Sequence, residues 1–233
     1  MIDVLYQAGA LLIVAKPGGV LTQAPPGIDS MELRVKRWLA DQRGRESIDD
    51  VYLGVPHRLD RPVSGALVLS TRAKATRLLG EQFEDRVVRK TYWAWVSGQV
   101  TPTAGRWIDS MRKVPDQPRA ELVPPDSPGA KQAILCYQVH RTSPTGSLLE
   151  IGLETGRMHQ IRLQLATHGH PVWGDELYGS SEVFGPEVAD AREKWIALHA
   201  RQVVLRHPET GVAVVANAPF PAWWDPVCPG LNG

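Results

Sequence analysis

The sequence has few cysteines, no long hydrophobic run and almost no excess charge. Its two cysteines, Cys136 and Cys228, lie far apart, which excludes a disulfide framework and a cysteine-based zinc knuckle. The longest apolar run covers residues 10–15 and is far shorter than the roughly 20 residues that span a bilayer. No basic segment precedes this run, so we expect no secretory signal. We therefore expect a soluble protein of the cytoplasm without membrane contact.

The charge balance and the missing motifs exclude several classes of protein. Lys and Arg number 26 and Asp and Glu number 25, so the net charge is +1, whereas a protein that coats nucleic acid by charge alone is more basic. The sequence contains no Walker A loop and no dinucleotide-binding fingerprint. His159, His168 and His170 match no common zinc spacing. We expect neither a metal nor a nucleotide cofactor.

Short segments typical of strands outnumber helical segments. Apolar and β-branched runs predict strands over 11–15, 51–55, 66–71, 90–96, 132–140 and 148–154, and then a hairpin of 201–206 and 211–216. Apolar residues at helical spacing predict helices over 31–43, 72–84 and 157–168. The stretch 101–129 is rich in proline and glycine and is predicted to be an irregular loop or weak hairpin. Because strands and helices do not alternate strictly, we expect one α+β domain over residues 1–233, with a few helices flanking a largely antiparallel or mixed sheet.

The densest polar cluster is the loop His57-Arg58-Leu59-Asp60-Arg61-Pro62-Val63-Ser64-Gly65. Asp60 lies between two arginines, which favour its ionised form. An ionised carboxylate in such a loop can act as a nucleophile, a base or an electrostatic stabiliser. The alternative is an ion pair at the surface of a strand turn, which is the more frequent use of charged loops.

A second cluster surrounds Arg157. Thr155 is a plausible N-cap, which places Arg157 in the first turn of the predicted helix. A cation there opposes the helix dipole, so it calls for a nearby anion, unless the helix merely begins with an arginine. Tyr92, on a predicted strand, is a third candidate because its ring can stack on a planar ligand; many strand tyrosines are instead half-buried core residues.

Four blocks of sequence resemble the RluA-like family of RNA pseudouridine synthases. The family signature His-Arg-Leu-Asp, two variable positions and Thr-Ser-Gly is similar to residues 57–65, with Val63 in place of the threonine. Residues 14–20, Val-Ala-Lys-Pro-Gly-Gly-Val, resemble the first family block, and Lys90-Thr91-Tyr92 resembles its Lys-x-Tyr strand. Residues 155–162, Thr-Gly-Arg-Met-His-Gln-Ile-Arg, resemble the last block, and Gln164 follows where a histidine is common. Four blocks in order make a specific signal.

The resemblance implies an isomerisation without a cofactor, in which a uridine of folded RNA loses its C1′–N1 bond and gains a C1′–C5 bond. It implies that Asp60 is the essential catalytic residue, that Tyr92 stacks on the base and helps to remove the C5 proton, and that Arg157 pairs with Asp60. Arg58 would fill the gap left by the extruded nucleotide, since chemistry on a base needs it out of the stack. Further RNA contacts are expected from the polar residues of these blocks, His57, Arg61, Lys90, Gln160 and Arg162.

We expect the partner to be structured ribosomal or transfer RNA and the protein to be a monomer. The first block begins near residue 11, so we expect no separate RNA-binding domain before the catalytic one. Two other functions use the same residues differently. A silent RNA-binding or chaperone protein on this fold would not need the set of Asp60, Tyr92 and Arg157, and a nucleoside hydrolase would release free uracil.

Overall fold

The computed structural model describes residues 2–230, and its regular elements in this range are ten strands and three α-helices. The strands are β1 (Val4–Ala8), β2 (Leu11–Lys16), β3 (Ser64–Ser70), β4 (Arg89–Ser97), β5 (Ala104–Lys113), β6 (Ala120–Leu122), β7 (Lys131–Thr142), β8 (Gly146–Leu153), β9 (Leu198–Arg206) and β10 (Ala213–Asn217). The helices are α1 (Met31–Gln42), α2 (Ala73–Glu84) and α3 (Gln160–Thr167). No helix in the described range is both long and apolar enough to cross a membrane.

The strands form a mixed sheet in the order β1-β2-β3-β9-β4-β8-β7-β5-β6, and β10 pairs with β9. The pairing of β3 with β9 is parallel, through Ser64–His199 and Gly65–Ala200, and the other pairings are antiparallel. Gly65 has a φ of +121°, and a Cβ there would lie 2.3 Å from the Ala200 carbonyl oxygen. Glycine therefore lets the two strands meet where the predicted site begins. The predicted α+β domain with a mixed sheet is confirmed.

Apolar residues cover both faces of the sheet. Alternate residues of β2 and β3 join two different cores, which explains why both strands are continuously apolar. Leu12 and Leu67 pack with Val35 and Leu39 of α1, whose N-cap is Ser30 as predicted. On the other face, the second core includes Leu79 of α2. The two helices thus bury opposite faces of the same strands.

Several predicted elements are wrong. The segment 51–55 is not a strand and pairs only through a bridge between Gly54 and Ser70. In the stretch 101–129 the hairpin alternative is correct, since β5 and β6 pair there, but β5 is a strand of ten residues and not part of an irregular loop. Its Gly105 faces Tyr137 on β7, and the tyrosine ring occupies the space that a side chain at Gly105 would need. The glycine was therefore a packing residue and not a loop signal.

Candidate active site

Two side chains from the N-terminal part of the chain fix the loop that carries Asp60. The Lys16 ammonium, 1% exposed, donates to the carbonyl oxygens of Pro17 (2.8 Å), Val20 (2.7 Å) and Arg61 (3.1 Å). The Thr22 hydroxyl donates to the Leu59 carbonyl at 2.8 Å and accepts the Leu59 N–H at 3.2 Å. The residues on either side of Asp60 are thus anchored to the protein. Burial lowers the pKa of Lys16 to about 7, although the Asp60 charge raises it.

Asp60 lies in a cleft of about 490 Å³ between its own loop, β4 and the segment before α3. Its side chain is 34% exposed. Arg162 Nη1 donates to Asp60 Oδ2 at 3.5 Å, and His159 Nε2 lies 3.8 Å from the same oxygen. Among the described residues, nothing donates a hydrogen bond to the other carboxylate oxygen, Oδ1. Oδ2 is therefore held by cationic or polar groups, whereas Oδ1 is open, in the sense that it has no donor among the described residues.

Arg162 is in turn held by Asp175. Its Nε donates to Asp175 Oδ2 at 2.6 Å and its Nη2 to Asp175 Oδ1 at 2.8 Å. The two side chains are 6% and 1% exposed, so this is a buried bidentate pair. The Tyr178 ring lies under the guanidinium, 5.1 Å from its central carbon. This geometry leaves the third guanidinium nitrogen directed at Asp60.

The predicted pairing of Arg157 with Asp60 is wrong, because α3 begins at Gln160 and not at Arg157. Arg157 lies in the preceding turn, where its Nε donates to the Gln132 carbonyl at 3.0 Å. Thr155 does not cap the helix either; its hydroxyl donates to Gln160 Oε1 at 2.8 Å. Arg162, expected to contact RNA, takes the position beside Asp60 that was assigned to Arg157. Arg157 still lines the cleft.

Gln160 and Arg61 also have other partners than the predicted RNA. Gln160 is 2% exposed, and its amide bonds Thr155, the Arg157 N–H, the Ile134 carbonyl and Gln164. Arg61 donates to the Gly19 carbonyl at 2.9 Å and pairs with Glu193 at 3.6 Å, and it does not line the cleft. Both side chains thus have partners within the protein, and the RNA contacts expected of them stay predictions.

Tyr92 and His57 line the cleft as uncharged groups. Burial, and then the Asp60 charge, raise the pKa of Tyr92 above its usual range, so its hydroxyl stays protonated at neutral pH. His57 Nε2 accepts the Val68 N–H at 2.8 Å, and its ring stacks on Phe83 at 4.5 Å. Burial lowers the pKa of His57 to about 3. Its other ring nitrogen, Nδ1, is buried, so in this structure the ring offers RNA neither a charge nor an exposed nitrogen.

Arg58 and Lys90 are the predicted RNA-contacting cations that line the cleft with no carboxylate beside them. Arg58 is exposed and has no hydrogen-bonding or ion-pair partner among residues 2–230. Lys90 is partly buried, two residues before Tyr92 on β4. Their open donors are available to a ligand.

Three side chains of the site, His159, Asp175 and Tyr178, were not predicted from their sequence motifs. His159 has the left-handed φ of +52° at the N-cap of α3, and its Nδ1 shares a hydrogen bond of 2.9 Å with the Tyr178 hydroxyl. The same hydroxyl accepts the Ala120 N–H at 2.9 Å. Burial lowers the pKa of His159, although the Asp60 charge opposes this shift. The available sequence signal for Asp175 and Tyr178 was their spacing of three residues, soon after the block 155–162.

Comparison with known proteins gives a consistent family. A family model described as RNA pseudouridylate synthase matches residues 10–167. The chain is 33% identical over 231 residues to an uncharacterised RNA pseudouridine synthase, YhcT, of Bacillus subtilis, covering 97% of this chain and 71% of that protein. It is 33% identical over 212 residues to the dual-specificity RNA pseudouridine synthase RluA of Yersinia pestis, covering 89% of this chain and 94% of that protein. It is 30% identical over 234 residues to tRNA pseudouridine synthase C of Salmonella typhi, covering 96% of this chain and 87% of that protein.

The fold agrees with this likeness. The structure of human RNA pseudouridylate synthase domain containing 4 superposes with a TM-score of 0.77 at 23% sequence identity, over 95% of this chain and 90% of that one. At that identity the superposition shows a shared fold only, whereas the family model and the relatives show similarity of sequence. Together they show that this chain belongs to the RNA pseudouridylate synthase family, whose members are isomerases.

Proposed function

We propose that this protein converts uridine to pseudouridine in structured ribosomal or transfer RNA, with Asp60 as the essential catalytic residue. The observation that carries the proposal is the partly exposed Asp60 carboxylate, which Arg162 contacts through one oxygen, in the cleft that Tyr92 also lines. Relatives named tRNA pseudouridine synthase C and ribosomal large subunit pseudouridine synthase C support the two substrate classes.

The reaction that this cleft supports is an isomerisation. The C1′–N1 bond of the bound uridine breaks, the uracil turns, and C5 bonds to C1′. The proton on C5 leaves to a base or to water, and N1 takes up a proton, so no group is gained or lost. Asp60 acts at the ribose through its open Oδ1, while Arg162 and His159 keep the carboxylate oriented. Preorganised charge of this kind is a major source of rate acceleration.

Tyr92 and Arg58 serve the base. The Tyr92 ring forms a wall of the cleft on which a uracil can stack, and its protonated hydroxyl is a donor rather than a base at neutral pH. Arg58, free and exposed at the rim, can enter the stack when the uridine leaves it. Unstacking a nucleotide costs a few kcal/mol, which a planar guanidinium offsets by stacking in its place.

The proposal is tested by tritium release from RNA that carries [5-³H]uridine. Wild-type protein is incubated separately with unmodified ribosomal and transfer RNA, alongside Asp60→Asn and the control Asp50→Asn, an exposed carboxylate outside the cleft. We expect release from at least one RNA with wild type and control, and none with Asp60→Asn. Release by Asp60→Asn would refute the role of Asp60. Free uracil would indicate a hydrolase, and RNA binding without release by wild type would indicate a silent binding protein.

A further inference from the structure

Two lysines near the cleft, the buried Lys16 and the partly buried Lys90, differ in the hydrogen bonds that their ammonium groups make. Lys16 uses its three protons on three backbone carbonyls, as expected for a lysine with a structural role. The Lys90 ammonium makes no hydrogen bond and no ion pair with any residue in the range 2–230. Its Nζ lies over the Phe83 ring, 5.7 Å from the ring centroid. Lys90 is therefore a desolvated cation without an acceptor.

An unpaired cation of this kind destabilises the free protein. Burial lowers the pKa of Lys90, and no carboxylate contributes an opposing shift. Glu84 lies on the same rim of the cleft but is exposed and outside ion-pair distance of Lys90. Replacing such a group with an apolar side chain of similar volume is expected to stabilise a protein. A purely structural explanation of Lys90 has to account for this cost.

The position of Lys90 suggests what offsets the cost. Lys90 and Tyr92 lie on the same face of β4, about 7 Å apart along the strand, and both line the cleft. The Phe83 ring lies beside the Lys90 ammonium and stacks on the neutral His57, so the partly buried Lys90 has uncharged rings as neighbours in the cleft. A uridine stacked on Tyr92 would carry its phosphodiester within reach of the ammonium.

We propose that Lys90 binds a backbone phosphate of the RNA adjacent to the target uridine, and so holds the extruded nucleotide in the cleft. This inference rests on the proposed function, since it takes the ligand to be RNA. The ammonium donates to a non-bridging phosphate oxygen, and its missing acceptor in the free protein is supplied by the substrate. Lys90 is thus a binding residue and not a participant in the bond changes at C1′.

The test compares wild type with Lys90→Met, Lys90→Arg and the control Arg89→Gln. Arg89 is the adjacent cation on β4, exposed and on the opposite face of the strand. Three quantities are measured: KM and kcat for tritium release, the slope of log Kd for unmodified RNA transcripts against log salt, and the melting temperature of the free protein. The transcripts are a transfer RNA and a ribosomal RNA fragment, so that binding is measured whether or not turnover occurs.

For Lys90→Met we expect KM and Kd to rise about tenfold or more with kcat within about twofold, as for the loss of one charged hydrogen bond. The salt slope should fall by about 0.7 to 1, since one phosphate contact is lost, and the melting temperature should rise. Lys90→Arg should keep the slope, and Arg89→Gln should match wild type in all three quantities.

A lower melting temperature with an unchanged salt slope in Lys90→Met would overturn the proposal, because that pair of results describes a structural lysine. A wild-type protein that binds neither transcript would overturn it as well. Failure of the proposed function has a different signature: no tritium release by wild type, with the Lys90 effect on binding and salt slope still present.

Discussion

Replacing Asp175 with asparagine removes the charge from the buried Arg162–Asp175 pair while it keeps the size of the side chain. Wild type has two charged hydrogen bonds here, at 2.6 and 2.8 Å, between side chains that are 6% and 1% exposed. Breaking such a pair costs about 3–5 kcal/mol. Since Asp60 remains beside Arg162 at 3.5 Å, and asparagine keeps one acceptor, we expect the lower end, about 3 kcal/mol.

In a domain of this size, a loss of about 3 kcal/mol lowers the melting temperature by about 6–12 °C. The activity should fall by more than the unfolded fraction at the assay temperature accounts for. The reason is that two of the three guanidinium nitrogens of Arg162 lose the carboxylate that orients them. We expect kcat to decrease about tenfold to a hundredfold, as for small misplacements of catalytic groups. Chemical unfolding gives the free energy, and single-turnover tritium release gives the rate.

The matched control is Asp190→Asn, which removes a carboxylate from an exposed pair with Arg192. Exposed pairs contribute about 0–1 kcal/mol, so this variant should remain close to wild type. The combination Asp175→Leu with Arg162→Met should recover part of the lost stability but none of the activity, since no buried charge is then left unpaired. The reasoning fails if Asp175→Asn changes the unfolding free energy by less than about 1 kcal/mol and leaves kcat unchanged.

Two further predictions concern acid stability and nucleotide extrusion. Burial lowers the pKa of His199 from 6.5 to about 4, so the unfolded chain takes up this proton first as the pH falls. Stability is then lost between pH 6.5 and 4, by about 3 kcal/mol in total from this residue. Urea unfolding at several pH values should show that the free energy of unfolding depends less on pH in His199→Gln than in wild type. The same pH dependence in both proteins would contradict this role of His199. Arg58→Ala should slow turnover more on folded RNA than on a flexible strand of the same sequence, whereas equal losses on both substrates would exclude a role in extrusion.

The sequence predicted those elements whose signal is local. Continuous apolar runs identified β2 and β3, helical spacing with the Ser30 cap identified α1, and aromatic alternation identified β4. The full length of β5 was not predicted, because Gly105 is required by the Tyr137 ring on another strand, which is a tertiary contact. No local pattern distinguishes such a glycine from one that ends a strand.

The contrast between local signals and tertiary contacts also explains which residues of the site were predicted. Asp60 and Tyr92 were identified from their own motifs, but which of two nearby arginines faces Asp60 depends on where α3 begins. That start is set by the Gln160 amide, which bonds Thr155 and Arg157, and the orientation of Arg162 is set by Asp175, outside the helix. Lys16 is a similar case, since a lysine at the end of an apolar strand gives no sign that three carbonyls will surround it. Partners that come from elsewhere in the chain are not visible in a motif.

The position of β9 in the sheet has a consequence for the order in which the site forms. Strand β9 comes late in the chain, yet it lies between β3 and β4. Without it, the sheet separates into one set of strands that carries the Asp60 loop and another that carries Tyr92 and leads to Arg162. The contact between Ser64 and His199 closes a loop of 135 residues, and such long closures are slow steps in folding. A nascent chain can therefore contain Asp60, Tyr92 and Arg162 and still lack the cleft that brings them together until β9 has emerged and inserted.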